Sequence, residues 1–429
     1  LDIVCQSFGS GNGVRVYENN RDGTWSPAWS LTGGNANYTV ETSDFNGDGF
    51  PDFVCTRWYP NVSAFLGDGA FGFTPVSTGI PDLQMVCVDV GDADGDGRDD
   101  ILCSIGSDSG VHCYRLDTGT GQWQDFSTGL PATGYYDMVQ MGDIDGDGFQ
   151  DAVIYADPSG QVFLGDGSGN WTADATWTMP APGSASAMRV DGDTDHDGRE
   201  DIVVQAEMAG GMFDRNQMKL FSPWLEPTAL AARVVRMNGG EVLVAGSVTD
   251  IRWVTAVPPA QPDASVDIYL SVTGASGPWT QVASGTQDDG HYQWSVESPV
   301  VSDQCRIRVV ASTGAASDED VSDGDFTIIL DPTGIEGGED PRISVIAAGI
   351  APNPCTGMGI PVLSVERAPC PLLEARLYSL AGRLMGESRP FAVPYSGPVP
   401  GMVEDLPPGI YMLKLSGGGA VEILELLVL

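Results

Sequence analysis

The chain has 429 residues, 18% of them charged, with 56 glycines, 29 prolines and a formal net charge of −39. That length supports two to four domains with real cores, and the glycine and proline content suits a turn-rich all-β protein. Such an acidic surface excludes DNA and anionic membrane as partners, since either needs a basic face, and no apolar run reaches the length of a membrane span.

Reading from the N-terminus, one nine-residue pattern, D-x-[DN]-x-D-G-x-x-D, occurs four times, at residues 44–52, 92–100, 143–151 and 193–201. Its first, third, fifth and ninth positions are Asp44, Asn46, Asp48 and Asp52; Asp92, Asp94, Asp96 and Asp100; Asp143, Asp145, Asp147 and Asp151; and Asp193, Asp195, Asp197 and Asp201. Short oxygen-bearing side chains at alternate positions let a chain wrap round a hard cation. Calcium takes six to eight oxygens, and a seventh-position carbonyl, from Phe50, Arg98, Phe149 or Arg199, adds to each set. About four structural Ca²⁺ sites are expected, which would bring the net charge from −39 to −31. An EF-hand is excluded: its twelfth-position Glu is replaced by Cys55, Cys103, Ile154 and Val204, and short apolar strand-like runs follow instead of helices.

The loops start 48, 51 and 50 residues apart, so the segment is an internal repeat. Leu1-Asp2-Ile3-Val4-Cys5 aligns with Pro51-Asp52-Phe53-Val54-Cys55, which makes Asp2 the ninth position of a fifth loop whose first seven residues are expected upstream of Leu1. Within each unit a strand follows the loop, then a second (residues 14–17, 62–66, 111–114, 162–164), then an aromatic (Trp25; Phe71 or Phe73; Trp123; Trp171), then a Thr-Gly or Met-Pro turn. A last strand such as residues 85–90 leads to the next loop. Four short strands in about 50 residues make one propeller-type blade. About five blades are expected over residues 1–225, the first incomplete.

Eight cysteines are too few for a disulfide-built scaffold, and no C-x-x-C suggests zinc. Two pairs are candidates for bridging, Cys103 with Cys113 and Cys355 with Cys370; the alternative is buried free thiols.

Residues 1–225 resemble FG-GAP (VCBS-type) repeats, the calcium-loop blades of integrin α-subunit propellers and of many bacterial surface proteins. The resemblance rests on the four complete loops and implies a calcium-bound β-propeller; it leaves the ligand open. A closed propeller of that family usually has seven blades, so either further blades precede Leu1 or the array is open and buries an edge against another subunit.

From residue 238 to 330 the repeat gives way to alternating strands at residues 251–253, 266–270, 292–296, 305–309 and 326–328. This reads as an immunoglobulin- or fibronectin-III-type β-sandwich, with Trp253, Trp279 and Trp294 in its core. Residues 331–350 read as a polar linker. Residues 351–429 are expected to form a small C-terminal β-sandwich. Leu377-Tyr378-Ser379-Leu380-Ala381-Gly382-Arg383, Gly409-Ile410-Tyr411-Met412-Leu413-Lys414-Leu415 and the apolar end resemble the C-terminal sorting domain of type IX secretion cargo. That resemblance implies a bacterial protein exported to the cell surface or beyond.

Catalytic patterns are missing from the sequence: there is no G-x-S-x-G, no H-E-x-x-H and no phosphate-cradling glycine loop. His196, at loop position 4, reads as a surface residue, and His112 and His291 show no partner. Asp99/Asp100 and Glu200/Asp201 imitate a glycosidase dyad, but Asp100 and Asp201 are assigned to metal and their neighbours to solvent. The expected role is therefore non-enzymatic, adhesive or structural, with self-association into extracellular fibres or binding to other surface proteins. Two rival readings are a glycan-binding module, with Trp58-Tyr59 as a stacking platform, and a polysaccharide-degrading enzyme.

Overall fold

The computed structural model describes residues 2–6, 13–20, 22–31, 36–57, 64–81, 83–106, 108–179, 183–190, 192–208, 216–222, 226–296, 301–330, 347–351, 362–367, 372–379, 384–387, 391–392, 395–398, 409–417 and 420–428. The fold is all-β, with several small antiparallel sheets, no closed barrel and no helix among the described residues. It divides into two compact units, one comprising Leu1–Val242, Val248–Trp294 and Arg306–Phe326, the other Leu243–Ser247, Ser295–Cys305 and Thr327–Leu429.

The first unit begins with a three-stranded sheet of β1 (Ile3–Gln6), β2 (Val14–Asn19) and β3 (Trp25–Leu31). Three four-stranded meanders follow, each in sequence order. They are β4 (Ala36–Ser43), β5 (Asp52–Arg57), β6 (Ala64–Gly67) and β7 (Phe73–Pro75); β8 (Met85–Gly91), β9 (Asp100–Ile105), β10 (Val111–Asp117) and β11 (Gln122–Asp125); and β12 (Met138–Gly142), β13 (Asp151–Ala156), β14 (Ser159–Gly165) and β15 (Trp171–Thr178). A last sheet holds β16 (Gly183–Val190), β17 (Ile202–Met208) and β18 (Asn216–Phe221). Every acidic loop joins the first strand of its sheet to the second, so the strand that leads to a loop, such as residues 85–90, belongs to the sheet after that loop and not to the preceding unit, where the repeat order grouped it.

Successive sheets stack face to face, because each strand after a loop is apolar on both sides. Ile101 and Cys103 pack toward the preceding sheet with Phe45 and Val54, while Leu102 packs toward the following one with Val139, Ala152 and Ile154. Alternate residues of a strand point to opposite faces, so one strand feeds two cores. The same rule excludes the Cys103–Cys113 bridge. Cys113 pairs with Leu102 and Cys103 with His112, so the two thiols lie on opposite faces, both buried and both free. Cys355 and Cys370 lie outside the described residues.

Two recurrent contacts set the stacking. Trp123 and Trp171 each donate their indole N–H to a carbonyl of the preceding unit, Val76 at 2.7 Å and Phe126 at 2.8 Å. Their backbone N–H groups bond Thr78 and Thr128, both at 2.8 Å. The recurrent Thr-Gly turn is thus the socket for the next unit's tryptophan. At the opposite edge, Glu41, Asp89, Gln140 and Arg189 occupy one register position, opposite Val54, Leu102, Val153 and Val203. The Arg189 guanidinium lies 3.3 Å from both Glu41 Oε1 and Gln140 Oε1, and Asp89 accepts the Met141 N–H at 2.7 Å. A residue of the last sheet touches one three sheets earlier, so the first strands converge and the blades fan around them.

The same unit continues with β19 (Ala231–Arg236), after which the chain passes through β20 (Val242–Val244) to β21 (Val248–Ala256), β22 (Ser265–Ser271), β23 (Thr280–Gln287), β24 (His291–Ser295), β25 (Ser302–Ser312), β26 (Ser317–Val321) and β27 (Phe326–Ile329). β19, β21 and β24 form one sheet, and β22 pairs with β23 and β25. Their inward residues, among them Ile251, Trp253, Val266, Ile268, Trp294, Ile307 and Val309, are buried. Trp253 and Trp294 are core residues as expected. Trp279 is only half-buried, with the Arg308 guanidinium 4.7 Å from its ring and 4.7 Å from that of Tyr269. β19 starts upstream of the expected boundary at 238, because Ala231-Ala232-Arg233-Val234-Val235-Arg236 carries a strand alternation that the repeat count left unassigned.

In the second unit, β28 (Ala347–Ala351), β29 (Val362–Arg367) and β33 (Tyr395–Pro398) make one sheet. β30 (Leu372–Ser379), β31 (Leu384–Glu387), β32 (Phe391–Ala392), β34 (Gly409–Gly417) and β35 (Ala420–Val428) make another, in which β30 is central. β28 begins inside the stretch read as linker, where the polar run has given way to Ala-Ala-Gly-Ile.

The Thr-Gly socket has a direct test. Gly129 has φ +102°, and a Cβ there would stand 2.0 Å from the Trp171 carbonyl oxygen; Gly121, with φ +66°, faces open space. Gly129→Ala should lower stability by more than about 3 kcal/mol, the upper end for backbone strain alone, while Gly121→Ala should lose only about 1–2 kcal/mol. Equilibrium denaturation of both variants checks this.

Candidate metal centres

Each loop is first of all a hydrogen-bonded turn. The position-1 carboxylate folds the loop over itself: Asp143 Oδ1 accepts the N–H of Gly146 at 2.7 Å and of Asp147 at 3.1 Å, and its Oδ2 that of Gly148 at 2.9 Å. Asp44, Asp92 and Asp193 act the same way on Gly49, Gly97 and Gly198. Those glycines adopt φ of +85°, +84° and +91°, left-handed conformations that favour a residue without Cβ. Position 5 then turns the chain out, with Oδ1 of Asp48, Asp96, Asp147 and Asp197 each accepting the N–H of position 7.

The folded loops bring the acids together. Oxygens of Asp92, Asp94 and Asp96 lie within 4.8 Å of one another, as do those of Asp143, Asp145 and Asp151, and those of Asp193, Asp195 and Asp197. The first loop has a neutral donor, Asn46, at position 3; its amide nitrogen bonds Asp48 Oδ2 at 2.8 Å. Arginines screen some of the charge, Arg115 on Asp94 Oδ2 at 2.9 Å and Arg98 on Asp96, while Ser222 bonds Asp195 Oδ2 at 2.9 Å. The other oxygens of Asp94 and Asp195, and Oδ1 of Asp201, are buried without a hydrogen-bond partner.

Position 9 has a second role that the pattern did not disclose. Asp52 accepts the N–H of Phe45 at 2.9 Å and of Gly67 at 2.7 Å; Asp151 accepts Ile144 at 2.8 Å and Gly165 at 2.9 Å. This carboxylate therefore ties its loop to the third strand of its own sheet. The available signal was the repeated Leu-Gly-Asp-Gly at residues 66–69 and 164–167. Position 7 also uses its side chain. The Phe50 and Phe149 rings pack against Gly69 and Gly167, and the stems of Arg98 and Arg199 lie over Gly47 and Gly146 of the preceding loop.

Position 8 links neighbouring blades. Asp99 Oδ2 accepts the Ser43 hydroxyl at 2.6 Å, just ahead of the preceding loop, and Glu200 Oε2 accepts the Asp143 N–H at 2.8 Å. Glu200 is buried, with Arg252 Nη2 3.7 Å away, so it is not the solvated neighbour expected of it.

The loops also carry the sheet that follows the blades within the same unit. Arg233 pairs with Asp143, and Arg236 lies 3.9 Å from Asp99. A Cβ on Gly97 would stand 2.2 Å from the Gly240 carbonyl carbon. The His196 carbonyl accepts the Val257 N–H at 2.8 Å, and its Nδ1 lies 3.2 Å from Thr255 Oγ1, so this histidine is a contact residue rather than a bare surface one. His112 Nε2 lies 3.0 Å from the Ser109 carbonyl oxygen, and His291 Nε2 lies 3.3 Å from Asp250 Oδ1, an ion pair when the ring is protonated. Trp58 and Tyr59, the expected glycan platform, lie outside the described residues.

The electrostatics follow from this crowding. Burial pushes Asp44 up to about 6, Asp92, Asp151 and Asp193 to about 7 and Asp52 to about 8, and neighbouring carboxylates add to the rise. Asp100 is likewise driven well above the usual carboxylate range, by burial and then by Asp94, Asp92 and Asp96. Converging, desolvated carboxylates of this kind suit a hard divalent cation, which supplies the opposite charge and takes the unpartnered oxygens.

Four FG-GAP-like repeats are found, matching residues 1–55, 44–103, 92–154 and 143–204, just under half of the chain. No curated protein matches. Among solved structures, a lectin of Agrocybe aegerita described as recognising non-reducing terminal N-acetylglucosamine is 13% identical, over 69% of this chain and 99% of that one, with a TM-score of 0.33. PorZ, a surface component of the type IX secretion system of Porphyromonas gingivalis, is 11% identical over 100% of this chain and 58% of its own, with a TM-score of 0.28. The allergen Mala s 1 of Malassezia sympodialis is 7% identical over 45% of this chain and 60% of its own, with a TM-score of 0.30. The chain thus spans under two thirds of the allergen and of PorZ, and likenesses this slight carry no argument about function. No helix among the described residues is long and apolar enough to cross a membrane.

Two outcomes follow for the cation-free protein. Carboxyls held at about 6 to 8 in the fold titrate near 4 once unfolded, so the folded state binds the extra protons across pH 4–8. Stability in chelator should therefore fall as pH rises through that window, read as a falling melting temperature. Asp151→Asn, which keeps one acceptor oxygen where the carboxylate takes the N–H groups of Ile144, Asp145 and Gly165 on two, should cost about 1–3 kcal/mol in chelator. Asp147→Asn, which keeps the oxygen its exposed turn uses, should cost less than half as much by the same denaturation measurement.

Proposed function

We propose that this chain is a non-enzymatic, calcium-binding protein of the bacterial cell exterior, with an adhesive or structural role and a capacity to assemble into fibres. The observation that carries the proposal is the convergence of carboxylate oxygens within 4.8 Å in three successive loops. In this reading Asp44, Asn46, Asp48 and Asp52, and their counterparts in the other three loops, hold Ca²⁺, with the carbonyls of Phe50, Arg98, Phe149 and Arg199 completing the sets. The ion supplies charge neutralisation to turns that are self-repelling without it.

The non-enzymatic part rests on how the acids are used. Asp100 and Asp201 accept N–H groups at the strand entries, while Asp99 and Glu200 hold neighbouring sheets. Neither pair is left to act on a substrate. Residues 238–330 are read as an immunoglobulin-type sandwich, on the facing sheets and buried tryptophans, and residues 351–429 as a sorting-type domain, on the order of β30, β34 and β35. In that reading the protein works outside the cell.

Calcium removal is the direct test. At a free concentration a hundred times the dissociation constant, each ion bound to the folded state adds about 2.7 kcal/mol. Excess chelator should lower the melting temperature of the full chain by many degrees, restored by Ca²⁺, and Asp96→Ala should remove one increment. A melting curve indifferent to chelator at neutral pH would overturn the proposal.

A further inference from the structure

The third acidic loop differs from the others in how its position-1 carboxylate is used. An ionised carboxylate offers about four lone-pair sites on its two oxygens. Asp44 accepts three N–H groups, from Gly47, Asp48 and Gly49. Asp92 accepts two, from Asp96 and Gly97, and Asp193 two, from Asp197 and Gly198. Each of these three keeps acceptor capacity for an ion. Asp143 accepts three N–H groups within its loop, from Gly146, Asp147 and Gly148, and a fourth bond on Oδ2 from the Arg233 guanidinium. Its capacity is full.

Two further observations set this loop apart. In the second and fourth loops the converging oxygens come from positions 1, 3 and 5; in the third they come from positions 1, 3 and 9, Asp143, Asp145 and Asp151. Buried oxygens without a partner stand at Asp94, Asp195 and Asp201, in the second and fourth loops, and among the described residues none stands in the third. Arginines do touch the second loop, Arg98 on Asp96 and Arg115 on Asp94. There, however, Asp92 bonds backbone N–H groups and Asp94 keeps its Oδ1 open.

Arg233 belongs to β19, in the sheet that follows the blades, and its guanidinium spans two loops. Nη1 pairs with Asp143 of the third, and Nη2 lies 3.4 Å from the Gly198 carbonyl oxygen of the fourth. The Asp143 side chain is only 2% exposed, so solvent ions screen the pair little.

We propose that Arg233 is an internal competitor for the third ion site: it holds the oxygen a cation needs, so Ca²⁺ enters this loop only by displacing a guanidinium that ties β19 to the blades. The third loop is then the weak, responsive site and the others are the firm ones. Coupling of this kind is reciprocal, so filling the loop loosens β19 and undocking β19 tightens the loop. At low Ca²⁺ the arginine neutralises Asp143; at high Ca²⁺ the ion does. The inference rests on the reading of the loops as calcium sites and adds that they are unequal, one of them being linked to the following sheet.

Isothermal titration of the chelator-stripped full chain with Ca²⁺ alone tests it. Wild-type protein should show a weak step besides the tight ones. Arg233→Gln should tighten that step about tenfold or more, within the usual range for coupled sites. Arg236→Gln makes the same charge change in a half-exposed pair, 3.9 Å from Asp99, which is not a ligand, and should shift the step by less than about threefold. Asp145→Ala in otherwise wild-type protein should delete the weak step and leave the tight ones, a result that does not depend on whether Arg233→Gln folds. Equal sites in the wild type, loss of a tight step in Asp145→Ala, or an Arg233→Gln effect no larger than that of Arg236→Gln would overturn the inference and leave the calcium reading intact. Absence of any Ca²⁺ binding would overturn both.

Discussion

The mutual repulsion of carboxylates in the four acidic loops is the constraint on which the first unit depends. Every loop gathers several acids at a point partly withdrawn from water, and their raised proton affinities report the cost of holding them there. The loop meets part of that cost from its own backbone, since position 1 accepts N–H groups from positions 4 to 6 and position 9 accepts them at the strand entry. Arginines from the same sheet and from β19 meet another part. The proposed cations account for the remainder.

The same residues do more than gather charge. A loop acid that bonds the third strand, as Asp52 and Asp151 do, sets the geometry of its own sheet. One that bonds the preceding loop, as Glu200 does, sets the spacing between sheets. Trp123 and Trp171 make the matching contact at the outer edge, in sockets built from Thr-Gly turns. The loop acids therefore take part in contacts both within a blade and between blades. The proposed ion sites thus lie at the joints of the blades.

The link from loops to the following sheet extends this logic. Arg233 lies on Asp143, Arg252 near Glu200 and Arg236 near Asp99, so the strands after the repeat present a row of guanidinium groups to the acidic edge of the blades. Only 20 lysines and arginines are available against 59 acids, and several of these few cations are spent here. Among the described residues the buried loop acids each keep at least one hydrogen bond or ion pair, while single oxygens of Asp94, Asp195 and Asp201 stay unpartnered.

Much of this was legible in the sequence, because loop chemistry is local. Alternating acids with a glycine at the sixth position dictate a turn, the β-branched and aromatic runs after it dictate a strand, and a period near 50 dictates stacked copies. Those rules put a strand directly before and after each loop and Trp253 and Trp294 in a core, but they also put Trp279 there, which is half-buried, and did not show to which sheet the strand before each loop belongs. Sequence could not say which acids face a neighbour, since Asp99 and Asp100 are chemically alike and differ only in which sheet lies across from them. Nor could it pair cysteines: Cys103 and Cys113 flank one turn, yet the register puts them on opposite faces. The order of strands and the acidic turns were determined by the chain itself. The partners of Asp52, Glu200, Arg189 and Arg233 were decided only when sheets distant in sequence came to lie against one another.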